Sequence, residues 1–207
     1  MIKNYFLFYR KHYQKNTRMI FSIGLLIGIL SYLYFFYTPE AAEYMFKEMT
    51  YAMEQKGYDG NRSAWWTFTS ILWNNVKLGL VMILLGLVPL VILPTFTSFA
   101  SFFALGLVLA IFESKLHKAF ELFVFGLLPH TVIEFFGFAI AGGIGVSLRL
   151  TICQKFFSKK RKTIHVWRAM KNAGKGYLLY VVPLLVLGSI IECTFSSWLA
   201  YHFLHLT

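Results

Sequence analysis

The residues best placed to do chemistry lie in Leu128-Pro129-His130-Thr131-Val132-Ile133-Glu134. His130 and Glu134 are four residues apart inside an apolar run from Leu122 to Leu148. At that spacing two side chains share one face of a helix. An imidazole beside a carboxyl suits proton transfer or metal ligation. A catalytic zinc site takes three protein ligands, and no third histidine falls in the middle of an apolar run; His202 and His205 sit at the end of the last one. The other ionisable residues within apolar runs are Lys77 and Glu192, with Arg149 near the end of one, and the paired amides Asn74 and Asn75 open another. A charge in hydrocarbon costs at least ~2.5 kcal/mol, so such groups face the protein interior, water or one another. The set Asn74, Asn75, Lys77, His130, Glu134 and Glu192 therefore reads as one intramembrane polar cluster. A clamp that fixes helix packing is the preferred role. A site for a headgroup, an ion or a partner helix comes second, and a catalytic metal or acid–base centre third.

Other chemistries lack their residues. There is no Gly-rich phosphate loop with its lysine and no serine or cysteine in a nucleophile elbow. Gly142, Gly143 and Gly145, in Ala141-Gly142-Gly143-Ile144-Gly145, read as helix-packing glycines rather than a nucleotide loop. Cys153 and Cys193 show no metal-site spacing and are expected to be free thiols. No enzymatic activity, metal or cofactor is expected.

The elements that must hold these residues follow from composition. Of 207 residues 57% are hydrophobic and 14% charged, against about 25% charged in a soluble domain. Mean hydropathy is +0.60. Several apolar runs reach the ~20 residues of a membrane-crossing helix. The fold class is therefore all-α: a polytopic helical membrane protein, one integral membrane domain over residues 1–207. The net charge of +11 would suggest nucleic acid in a soluble chain. Here the positives flank apolar runs, the pattern of topology signals and anionic-lipid contact, so no nucleic-acid partner is expected.

Five spans are read at about Met19–Tyr37, Ile71–Leu93, Phe96–Phe112, Leu122–Ile152 and Tyr177–Leu199. The first follows a basic segment as a signal peptide would, but ends in bulky Tyr34, Phe35, Phe36 and Tyr37 and is read as an uncleaved span. Gly24 and Gly28 on it are read as a contact within the protein rather than a dimer seam, although a homo-oligomer stays open. Residues 38–70 form an acid-rich loop with an amphipathic helix starting near Pro39 and lying at the membrane surface; Trp65 and Trp66 mark the interface. Pro89 falls near the end of the second span and Pro94 turns the chain into the third. The fourth run is long, carries Pro129, and is expected to be kinked or partly re-entrant. Residues 153–176 form a basic loop. The two basic segments belong in the cytoplasm and the acid-rich loop outside, which five spans satisfy with the N-terminus in and the C-terminus out. At 1.5 Å per residue Asn75 then lies about 6 Å, Glu192 about 8–12 Å and Glu134 about 18 Å below the outer boundary.

With these residues in view the chain resembles the stage II sporulation protein M family. The resemblance rests on Asn74-Asn75 at a span's start, on Leu128-Pro129-His130 with Glu134 and the Ala141–Gly145 run, and on Ile191-Glu192 in the last span. Thr131 stands where the family often has glycine, and its Asn-Gly pair of the third span is missing between Pro94 and Phe112. The resemblance implies a multispan protein without enzymatic activity, similar to a cell-membrane anchor for extracytoplasmic envelope machinery. Its partners would be the lipid bilayer and other membrane or envelope proteins. The alternative is a component of a transport or flippase-like system for an amphipathic lipid or peptide, including bacteriocin export or immunity.

Overall fold

A computed structural model of the chain describes residues 2–55, 63–88, 93–157 and 165–196. The described residues are almost all helical, with no strand among them. In order these are α1 (Ile2–His12), α2 (Gln14–Tyr37), α3 (Pro39–Glu54), α4 (Ala64–Leu85), α5 (Leu93–Leu116) and the single turn α6 (Ala119–Glu121). A π-helical stretch (Leu122–Leu127) leads into α7 (Leu128–Phe157). Then come α8 (Val166–Gly176), a π stretch (Tyr177–Val181), α9 (Val182–Ile191) and a third π stretch (Glu192–Ser196). Five of the resulting segments are long and apolar enough to cross a membrane.

The fourth of these, Ala119–Phe157, is the hub. Of its most apolar stretch 72% is buried, against 22–39% for the other four. A helix that is apolar all round belongs in the centre of its protein, and α7 packs against α2, α4, α5, α8 and α9. Small residues let backbones approach there. A Cβ on Gly143 would meet the Thr17 backbone at 3.0 Å, and Gly86 at the end of α4 lies directly on the Gly145 backbone. Gly142 is buried in the same stretch. At the other seam Gly28 packs on the Phe102 carbonyl and Gly106 on the Gly28 carbonyl, so the Gly24–Gly28 pair faces α5 of the same chain.

Boundaries differ from the sequence expectation in informative ways. Helix α4 starts at Ala64, where Ser63 caps it by accepting from the Trp66 N–H at 3.2 Å. It ends at Leu85; Pro89 lies outside the described residues, and Pro94 is the second residue of α5. The 153–176 segment is mostly helix rather than loop, since α7 runs to Phe157 and α8 begins at Val166. The reason is a stripe of Val166, Ala169, Met170 and Ala173 at helical spacing, which packs on the core shared with Tyr13, Ile144 and Tyr177. Residues 158–164 are not described. Helical structure is continuous from Ala119 to Phe157. The interruption before Pro129 is the π stretch, where the Leu128 N–H reaches back five residues to the Phe123 carbonyl. The same arrangement precedes Pro183, with the Val182 N–H on the Tyr177 carbonyl. A proline ring crowds the carbonyl four residues back and has no N–H for it, and a widened turn relieves this.

The contacts alternate end by end. Helix α3 follows α2 and packs on α5 through Ala42, with Glu43 3.1 Å from Lys115 at the end of α5. The start of α4 meets the end of the last segment where Trp65 and Phe68 approach Ile190 and Thr194. At the opposite end α1 and the start of α2 meet the end of α7 and the start of α8. A turn through His117, whose φ is 51°, closes α5. Glu113 then accepts from the Ala119 N–H at 3.2 Å, which starts α6.

Candidate functional site

Glu134 is the centre of the polar cluster. It is only 8% exposed, on the face of α7 that meets α4 and α9. Asn75 of α4 donates its amide N–H to Glu134 Oε1 at 2.8 Å. From the other side Gly188 of α9 lies against the Glu134 side chain: a Cβ on Gly188 would be 3.1 Å from Oε1 and closer still to Cγ. Glu192, one turn beyond Gly188 at the start of the last π stretch, places a second carboxyl near Glu134. Three segments thus converge on one carboxyl.

His130 lies one turn before Glu134 on α7 and is equally buried at 8% exposure. Asn74 and Lys77 are not part of the convergence. Both are exposed on α4, along with Trp73. The reason is helix geometry. Residues are ~100° apart around the axis, so with Asn75 turned inward its neighbour Asn74 and Lys77, two positions on, must point elsewhere. The inward face of α4 continues through Gly79, Met82 and Ile83. Gly79 lies beside Val181 and Leu185.

Sequence reasoning missed Gly188. It stands alone in an apolar stretch, and only its place opposite Glu134 gives it meaning. It also missed a polar seam at the far end of the bundle. There Asn16 of α2 donates to Ser147 Oγ of α7 at 2.9 Å, and Ser147 donates to the His12 carbonyl at 3.0 Å. The Tyr177 hydroxyl donates to the Val76 carbonyl at 2.6 Å, tying the start of the fifth span to α4. None of these three bonds has a motif, since the partners lie far apart in the chain. Cys153 and Cys193 are free thiols.

The cluster's chemistry is limited by its geometry. Glu134 is packed against Gly188 of α9, and its Oε1 accepts from the Asn75 amide. Among the described residues no group of three His, Cys, Asp or Glu side chains is placed to hold a metal ion. The arrangement does hold helices together. A half-buried hydrogen bond between amide and carboxyl joins α4 to α7, and Gly188 lets α9 approach the same side chain.

Comparison with known proteins points the same way as the residues. The family model described as stage II sporulation protein M matches residues 17–197. No curated protein and no solved structure matches the chain significantly.

Proposed function

Because the chain belongs to the stage II sporulation protein M family, a family of multispan membrane proteins, we propose that it is a non-enzymatic scaffold of the cell membrane that recruits other membrane or envelope proteins. The observation that carries this reading is the two-faced α4. Its inner face locks Asn75 onto Glu134. Its outer face carries exposed Trp73, Asn74 and Lys77 in the middle of an apolar span. Polar groups facing hydrocarbon are costly unless satisfied, and a partner helix with a carboxyl or amide at that depth would satisfy them. The surface helix α3, tied to α5 by Glu43 and Lys115, would add a docking surface outside the bilayer.

The transport reading draws on the π stretches around Pro129, Pro183 and Glu192, since such stretches often mark functional sites. The covered Glu134 carboxyl favours the scaffold. The test is the purified chain alone in proteoliposomes, assayed for hydrolysis of peptide, lipid and glycan and for movement of a fluorescent amphipathic lipid. The scaffold reading expects none of these above empty vesicles. In cells, a photo-cross-linker at position 74 should give one discrete adduct that Lys77→Leu weakens. An activity of the chain alone that Glu134→Gln abolishes would overturn the reading.

A further inference from the structure

At the end of the bundle opposite α3, the α1–α2 junction, the end of α7 and the start of α8 enclose a cleft of about 450 Å³. Its lining includes His12, His165 and Arg168. The amide residues Asn16, Gln154 and Asn172 and the hydroxyl residues Ser147 and Thr151 line it as well. No carboxylate lines it among the described residues. Its floor is apolar, formed by Phe8, Tyr13 and Ile144, and Tyr13 and Ile144 belong to the buried core. The wall is built rather than incidental: Asn16, Ser147 and the His12 carbonyl are joined by the two hydrogen bonds above, which fix α1 and α2 against α7.

The cleft lies where helices leave the apolar zone. Trp167 on α8 is exposed, and Lys171 one turn later lies 5.3 Å from its ring. An aromatic with a cation above it is the usual side-chain pair of a membrane–water interface. A ligand that fits must offer an anion to Arg168 and the imidazoles, accept from several amides and hydroxyls, and lay an apolar part on an aromatic and aliphatic floor. A phosphodiester on a lipid has all three features.

We propose that this cleft binds the headgroup phosphate of an anionic phospholipid, with the start of its acyl chains against Phe8 and Tyr13. The site is separate from the Glu134 cluster and from any partner surface of α4. It gives the bundle a lipid contact at a defined place rather than a diffuse basic face.

Native mass spectrometry of the full chain in a neutral detergent, titrated with phosphatidylglycerol or phosphatidylcholine, tests this. One phosphatidylglycerol should be retained in preference to phosphatidylcholine. Arg168→Gln, which removes a charge-assisted contact, should weaken retention by about tenfold. Lys15→Gln, a basic residue of the same end outside the cleft lining, should change it by less than about twofold. Thermal melting in the same detergent checks that Arg168→Gln is folded, and a second variant, Asn172→Leu, should also lose the lipid. Equal losses in Arg168→Gln and Lys15→Gln would mean diffuse surface charge and overturn the proposal. So would equal retention of the two lipids, or displacement of the lipid by millimolar inorganic phosphate, which would make the ligand a soluble phosphate.

Discussion

The two polar regions of this bundle are built in opposite ways. Around Glu134 the polar atoms are closed in: one hydrogen bond from the Asn75 amide and the close approach of Gly188 join three segments at one buried carboxyl. Around Asn16 and Ser147 the hydrogen bonds hold only the wall, and Arg168 and two histidines line an open cleft beside them. Charged residues in apolar surroundings attract attention as sites, yet here the buried acids hold the helices and the exposed bases leave room for a ligand. Satisfaction and coverage separate the two roles better than residue type does.

The comparison can be broken by substitutions, and the largest effect is expected at Gly188. Gly188→Leu places atoms where the Glu134 side chain lies and should cost about 3 kcal/mol of unfolding free energy in detergent. Glu134→Leu comes next. It leaves the Asn75 amide without its acceptor, for a loss of about 2 kcal/mol, whereas Glu134→Gln keeps an oxygen there and should lose less than about 1 kcal/mol. Melting of the purified variants would give the order; an equal loss for Leu and Gln would show that the Asn75 bond contributes nothing. At the open end Ser147→Ala removes the middle of the Asn16–Ser147–His12 chain and should cost about 1 kcal/mol. Arg168→Gln should change stability by less than about 0.5 kcal/mol while altering lipid retention.

The smallest expected effect is with pH. Burial first, and then the charge of Lys11, hold the His12 imidazole below its ordinary value. The unfolded chain therefore takes up this proton more readily than the folded one. Stability from this group is complete above about pH 6.5 and declines as pH falls below it. His12→Gln should flatten that part of a stability–pH curve, and an unchanged slope would place its origin elsewhere.

Much of this was legible in the residues. Apolar runs and basic segments sufficed for five spans, because hydrocarbon demands internally bonded helices of a certain length. Counting residues put Asn75 about 6 Å and Glu134 about 18 Å below the outer boundary, so depth alone did not pair them; the 2.8 Å contact is read from the structure. The rotation of α4 was not drawn from the sequence, although a helical wheel built on Asn75 separates it from Asn74 and Lys77. The amphipathic stripe of α8 was hidden by its lysines and arginines, which read as loop. Gly188 and the Asn16–Ser147 seam carried no local signal at all, because their meaning is a contact between segments distant in the chain.

If Glu134 is a clamp, its hydrogen bond to Asn75 stabilises the bundle. A double-mutant cycle of Asn75→Leu and Glu134→Leu, read by reversible unfolding in detergent, tests it most directly. The claim predicts a favourable coupling of about 1 kcal/mol between the two side chains, toward the upper end for hydrogen bonds between membrane helices. Strict additivity of the two losses, to within about 0.3 kcal/mol, would contradict it.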